Sequence, residues 1–366
     1  METTSKKIII VFNNLNIGGI ETKIVDISKH YSKKKNYKLT IILKTKIGPL
    51  LAKIPPNINL VHPPLTDKLK LKTLIFPFWL SCAFNKIKPN LVIAFGNYSA
   101  ISAIIGKMFS FSKTKLVISE DSSIIQQLKT DSFSFLRIIL VKILYPFSNS
   151  IIVLSQSGKS NLLKIKSSLK NKIAILENWL PNTYPKQISN QKRDIDILFL
   201  GRFEPQKNPL KFLKICKRLL ANNPKLNISM VGYGSLTPKI KKYIFKNNLN
   251  PQVSLHPKTT KSYKYFQRSK LFLLTSRHEG FPLTLLEATA SGSIPICISL
   301  KEIQNYFDFS SNYLLYNTNT KAIKNIKKLL SNSHQRKLIS SYYQKKTLLN
   351  QQINFNNTVN HLSKYL

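Results

Sequence analysis

Short apolar runs punctuate the chain at residues 7–12, 39–43, 58–61, 91–95, 116–119, 151–154 and 173–176, and again at 195–200, 228–231, 253–256, 271–274 and 294–298. Runs this short between turn-forming residues fit strands buried on both faces of a parallel sheet. Between them, apolar residues recur every three or four positions, as Ile24, Ile27 and Tyr31 do, and predict helices. Strand, loop, helix, strand repeats throughout, so the expected class is α/β: six or seven βα units, a linker, then about six more. The 366 residues suffice for two Rossmann-like domains. A polar, proline-containing stretch at 184–193 is the expected linker between domains at 1–183 and 194–345, and 346–366 reads as a final helix.

One junction carries chemistry. The run 271–274 is followed by Thr-Ser-Arg-His and then Glu279, Gly280, Phe281 and Pro282. From Leu283 the pattern is helical through Leu285, Leu286, Ala288 and Ala290, and Ser291-Gly292 ends it. Pro282 suits a first-turn position, where its missing N–H costs nothing. Open α/β sheets bind ligands at the carboxyl ends of their strands, and a helix start offers N–H groups and a positive dipole end to an anion. Glu279 lies in the loop and Glu287 about one turn inside the helix, and a carboxylate can accept two sugar hydroxyls at once. The pair around a phosphate-binding helix start therefore suggests a sugar attached to a nucleoside diphosphate. One carboxylate would hold the transferred sugar and the other the ribose. Spacing alone favours a solvated glutamate and a cap. Acids are scarce, however, at 15 against 57 basic residues, and two of them flank this loop.

The formal charge of +42 is spread over both halves and attracts anionic surfaces. An anionic membrane surface is the expected partner rather than nucleic acid, because no zinc finger, helix-turn-helix or RNA-binding aromatic motif occurs. No apolar run reaches the ~18 residues of a spanning helix, and the start of the chain reads as a strand rather than a signal peptide. Two stretches could lie in a membrane interface. Residues 69–84 hold Phe76, Phe78, Trp79 and Phe84 beside several lysines, and equally suit a core helix. Residues 133–147 are interrupted only by Arg137 and Lys142. Cys82, Cys216 and Cys297 lack metal spacing and read as reduced core residues of a cytoplasmic protein.

Other loops at strand ends are candidates. Gly18-Gly19 follows the first strand and lets backbone N–H groups approach a ligand, while Glu21 reads equally as a ligand and as a first-turn acid. Gly96-Asn97-Tyr98 is another such loop. At 120–123, Asp121 is open to two readings, a sugar-hydroxyl acceptor or a cap of the next helix. Gly201-Arg202 follows strand 195–200, with Lys207 five residues on; Arg202 offers planar bidentate donors for a diphosphate and Lys207 a compact charge. Gly232-Tyr233-Gly234 closes strand 228–231.

Glu279-Gly-Phe-Pro-Leu-Thr-Leu-Leu-Glu287 resembles the E-x7-E motif of the GT4 family of retaining GT-B glycosyltransferases, the glycosyl transferases group 1. Gly201-Arg202 with Lys207-Asn208, the Gly232-Tyr233-Gly234 loop and Gly18-Gly19 are similar to further segments of that family. The resemblance implies a GT-B fold, two Rossmann-like domains facing across a cleft with the last helix returning to the first. It implies a retaining, metal-independent glycosyltransferase with no cofactor. Its donor would be a nucleotide-sugar, a UDP-sugar by expectation. Arg202, Lys207 and Glu279 would be catalytic. Gly18, Gly19, Gly201, Gly234, Gly280, Phe281, Pro282, Leu283 and Glu287 would bind the donor. A lipid-linked or oligosaccharide acceptor in bacterial surface polysaccharide assembly, at the inner face of the cytoplasmic membrane, completes the expectation. The chain departs from the family at Glu120-Asp121, where a His, Arg or Asn is usual, and at Pro257-Lys258, where Gly is usual. The alternatives are a GT-B nucleotide-sugar epimerase, which would need added acid/base groups, and a basic nucleic-acid-binding protein.

Overall fold

The Ile-Ile-Ile-Val-Phe run of strand β1 (Lys6–Phe12) is buried along its whole apolar length, so this strand needs cover on both faces. It finds that cover inside a seven-stranded, all-parallel sheet of order β3-β2-β1-β4-β5-β6-β7. The other strands are β2 (Tyr37–Leu43), β3 (Asn59–Val61), β4 (Leu91–Phe95), β5 (Lys115–Glu120), β6 (Ser150–Val153) and β7 (Ile173–Ile175). Register is continuous across the centre, with Ile8 opposite both Leu39 and Leu91. This computed structural model describes residues 5–64, 72–121, 134–182, 184–185, 192–307 and 314–366.

Side-chain alternation along β1 sorts the core into two layers. Ile8 and Ile10 pack with Ile24, Ile27 and Tyr31 of α1 (Gly19–Ser32). Ile9 and Val11 point the other way, toward Phe76, Leu80 and Phe84 of α2 (Lys72–Ile87), Ala100 and Ile104 of α3 (Gly96–Met108), Val141 of α4 (Ser134–Leu144) and Leu162 of α5 (Gln156–Ile165). Of the two readings of 69–84, the core helix holds for one face of α2, while Phe78 on it is exposed; the start of the stretch lies outside the described residues. The loop expected at 96–98 does not exist. Gly96, at φ +74°, turns the chain directly into α3, and Asn97 is buried, donating to the Tyr145 hydroxyl at 2.9 Å. Cys82, expected in the core, is exposed on α2, whereas Cys216 and Cys297 are buried.

A second sheet, also all parallel, has order β10-β9-β8-β11-β12-β13. It is built from β8 (Ile195–Leu200), β9 (Ile228–Val231), β10 (Val253–His256), β11 (Ser269–Leu274), β12 (Ile294–Ile298) and β13 (Leu315–Tyr316). Its helices are α6 (Pro209–Leu220), α7 (Thr237–Lys246), α8 (Ser262–Arg268), α9 (Leu283–Ala290), α10 (Lys301–Gln304), α11 (Asn319–Ser331) and most of α12 (Ser333–Ser363). The two-residue β13 is too short to leave a pattern in the sequence. One compact unit comprises Met1–Pro181 with Asn354–Leu366, the other Asn182–Ile353. The end of α12 brings Phe355, Val359 and Leu362 into the core of the first unit. Arg193, in the expected linker, is tied to the second unit by bonds to the carbonyls of Phe266, Ser269 and Ser291.

Both sheets reverse their strand order once, between β1 and β4 and between β8 and β11. Such a switch point leaves a crevice outside the carboxyl ends of the two strands, where connections diverge to opposite faces.

Candidate active site

Strands β8 and β11 are hydrogen-bonded neighbours in parallel, so the segments leaving their carboxyl ends, 201–209 and 275–283, emerge side by side. Main chain and side chains then fasten them together. The Thr275 hydroxyl donates to the carbonyls of Lys207 and Asn208 at 3.0 and 3.1 Å. The Arg277 N–H donates to the Gln206 carbonyl at 2.8 Å, and Gln206 Nε2 reaches the His278 carbonyl at 3.3 Å. Segment 201–209 is itself curled by Lys207 and Asn208 N–H bonds to the Glu204 carbonyl, and Asn208 takes the left-handed conformation at φ +52°. Pro209 then opens α6.

This folding joins Lys207 to Glu279. Lys207 Nζ stands 2.5 Å from Glu279 Oε1, which also accepts the Ser276 hydroxyl at 2.5 Å. Glu279 is buried and Lys207 is half-buried, so their charges meet away from bulk water and hold one geometry. Arg202 is exposed at the rim, its guanidinium held by Gln206 Oε1 at 2.9 Å. Gln206 therefore links Arg202 to the Glu279 loop. Gly201 packs beside the Lys207 stem with room for a Cβ, the nearest atom being 3.7 Å away.

Gly234 is bound more tightly. A Cβ there would come within 2.6 Å of both Glu204 Oε1 and the Phe203 carbonyl. Glu204 spans the gap between the loops, accepting from Ser235 N–H at 2.8 Å and from the Ser235 hydroxyl at 2.6 Å. Those bonds hold the Glu204 carboxyl below the usual range.

Helix α9 begins at Leu283, after Gly280, which is partly open, and Phe281 and Pro282, which are buried. Pro282 is its N-cap rather than a first-turn residue, and no side-chain oxygen caps the helix start. The Thr284 hydroxyl in the first turn is buried without a hydrogen-bond partner. Its far end closes in a Schellman motif: Ser293 N–H bonds the Ala288 carbonyl, Gly292 N–H bonds Thr289, and Gly292 sits at φ +73°. Glu287 keeps some surface open to solvent but is densely surrounded. Burial raises its carboxyl to about 7, against a weaker opposing bond to Ser262. The Tyr184 hydroxyl, from the expected linker, donates to the Glu287 carbonyl at 2.8 Å. His278 is buried beside the pair, and burial keeps its imidazole below the ordinary range.

Bonds therefore bring Lys207, Glu279 and, through Gln206, Arg202 together at this switch point, and Gly280, Phe281, Pro282 and Leu283 lead from there into α9. Glu287 lies one turn inside α9, beside Tyr184 and Ser262 rather than bonded to that cluster, and Gly201 and Gly234 flank the neighbouring loops. Gly18 and Gly19 belong to the other unit, where Gly18 is the extended N-cap of α1 and Glu21 lies in the first turn against it. In that unit Asp121 pairs with Lys23, and both are almost fully buried. Lys23 Nζ also lies over the Trp179 ring at 5.3 Å. Glu120 accepts the Tyr145 hydroxyl at 2.6 Å. The segment for which Asp121 reads as a helix cap falls outside the described residues, as do Ser122 and Ser123.

Residues 182–346 match the family described as glycosyl transferases group 1. The match covers the switch-point site. Among relatives, an uncharacterized glycosyltransferase of Methanocaldococcus jannaschii is 28% identical over 56% of this chain. The chain spans about half of that relative's length, 54%. The capsular polysaccharide biosynthesis glycosyltransferase CapH of Staphylococcus aureus is 26% identical over 89% of this chain and 91% of its own. Among solved structures, Anabaena HepE, in complex with UDP and glucose, superposes with a TM-score of 0.80 at 14% identity, over 99% of this chain and 100% of that one. The likeness shows the fold: two parallel-sheet Rossmann-like domains of the GT-B class.

Sequence reasoning missed Gln206, Thr275, Thr284 and the Glu204–Ser235 tie. Gln206 and Thr275 act through backbone carbonyls that only the adjacency of β8 and β11 supplies. Glu204 lay inside the glycine–arginine segment, but nothing local marks its partner 31 residues on.

Proposed function

We propose that the protein is a retaining glycosyltransferase that moves a sugar from a nucleotide-sugar, a UDP-sugar, to a lipid-linked or saccharide acceptor in bacterial surface polysaccharide assembly. The observation that carries this reading is the switch-point cluster, in which Arg202, the Lys207–Glu279 pair and the start of α9 converge. Arg202 and the remaining Lys207 protons meet the diphosphate, together with the backbone of residues 280–283 and the Thr284 hydroxyl at the helix start. Glu279, already oriented by Lys207 and Ser276 on Oε1, takes donor-sugar hydroxyls on its other oxygen, and Glu287 takes the ribose. The departing phosphate helps to deprotonate the acceptor hydroxyl on the same face, so the chain supplies position and charge rather than a nucleophile. No metal or cofactor takes part in this scheme.

HepE binds UDP and glucose, CapH acts in capsular polysaccharide biosynthesis, and a 26%-identical relative of Campylobacter jejuni acts on a diphosphate-linked undecaprenol. These support the donor and acceptor classes. The test is a screen of UDP-, GDP- and ADP-sugars by thermal stabilisation and by release of nucleotide. Stabilisation and slow turnover with one nucleotide series is expected. Indifference of the wild-type chain to all three would overturn the reading.

A further inference from the structure

We propose that the outer face of α2, α3 and α4 docks on an anionic lipid bilayer. These helices cover one side of the first sheet, α3 packing against both α2 and α4. Their buried residues fill the core, yet several of their outward positions are large and apolar. Phe78 is 54% exposed, Phe109 61%, Phe111 97% and Phe135 75%. The Phe78 and Phe109 rings meet at 5.3 Å across the α2–α3 seam, so these two exposed aromatics are contiguous rather than scattered. Phe111 is anchored beside α2 by its N–H bond to Asn85 Oδ1.

The charge around this patch selects its occupant. Residues 72–119 and 134–176 contain no Asp or Glu, while Lys86, Lys88, Lys113 and Lys142 are exposed. Exposed aromatic and aliphatic side chains on helices that also expose lysines, and that carry no carboxylate among their described residues, complement an anionic lipid surface: rings enter the interface and ammonium groups meet the head groups. A second copy of this chain would bring a net +42 against the same field. Nucleic acid would engage the lysines but leave Met108 and Leu136, also exposed, in water. No helix among the described residues is long and apolar enough to cross a membrane, so the contact proposed is interfacial.

Cys82 offers a direct readout. It is the exposed cysteine, four residues after Phe78 and so on the same face of α2, whereas Cys216 and Cys297 are buried. The full chain, labelled at Cys82 with a polarity-sensitive fluorophore, is mixed with phosphatidylcholine vesicles with or without about one-third phosphatidylglycerol. Flotation with the anionic vesicles and a blue shift of the label are expected. A Phe78→Ser/Phe109→Ser/Phe111→Ser variant, checked for fold by circular dichroism, is expected to partition about tenfold less or weaker. Phe245→Ser, which removes a 75% exposed ring from α7, is expected to float like wild type. Three outcomes would overturn the proposal: no flotation, equal flotation of the triple variant, or flotation without a spectral shift. Binding of duplex DNA in place of vesicles, lost in the triple variant, would overturn it in favour of nucleic acid. Because binding is read without donor or acceptor, a chain that floats but transfers no sugar counts against the proposed activity alone.

Discussion

Lys207 Nζ stands 2.5 Å from Glu279 Oε1, although 72 positions separate the two residues. The pair exists because β8 and β11 are adjacent, and it fixes both the position and the charge of the proposed donor site. Removing one member leaves the other charge poorly solvated. Lys207→Met or Glu279→Gln should each destabilise the second unit, by roughly 2–4 kcal/mol given the partial exposure of Lys207. The double variant should lose less than the sum, with a coupling of about 1–3 kcal/mol. Denaturant unfolding of the four chains measures this, and strict additivity would show that the two charges do not depend on each other. Turnover should be lost in both single variants.

Arg202 presents the opposite case. It is exposed, bonded at the rim to Gln206, and near Glu204 only through charge, so it contributes little to the fold. Arg202→Ala should leave unfolding within about 0.5 kcal/mol of wild type. Turnover should fall roughly 10²–10³-fold, as when a single donor to a developing anion is removed. Lys at this position should restore little, because a point charge cannot reproduce the planar fork. Full activity in Arg202→Ala would remove this residue from the diphosphate site.

The parallel sheets were legible because their strands are short apolar runs, and the helix start at Leu283 because Gly-Phe-Pro precedes it. Individual residues mark the proposed site as well: with acids so scarce, Glu279 and Glu287 stand out. What escaped was everything that depends on strand order. Nothing near Gln206 or Thr275 shows that they fasten one loop to another. Nothing near Phe95 shows that Gly96 will enter a helix at once rather than open a loop. Cys82 escapes a core reading for a related reason, since an apolar helix covering a sheet has an outer side that periodicity cannot see.

Gly234 tests the loop geometry. An added Cβ would sit 2.6 Å from Glu204 Oε1 and from the Phe203 carbonyl, and the latter cannot move without breaking the turn. Gly234→Ala should therefore cost about 1–3 kcal/mol and detach Glu204 from Ser235. Gly201→Ala, with 3.7 Å of clearance, should be nearly neutral for folding. Thermal unfolding of the two variants side by side decides the matter; equal losses would mean that the Glu204 bridge does not constrain the loop.

Glu287 gives a pH signature. Burial raises its carboxyl to about 7 from an ordinary 4.5, so the folded chain favours the protonated form. Between those values the folded chain retains a proton that the unfolded chain has released. The Glu287 contribution to stability therefore falls as pH rises from about 4.5 to about 7 and is level above that. Glu287→Gln cannot ionise and escapes this loss. Relative to wild type, the variant should gain stability at pH 8 compared with pH 5. In the proposed site the ionised carboxylate is the form that accepts ribose hydroxyls, so wild-type KM for the donor should fall as pH rises through about 7, and this dependence should be absent in Glu287→Gln. A Tm difference between the two chains that is the same at pH 5 and pH 8 would mean that Glu287 titrates as an ordinary carboxylate.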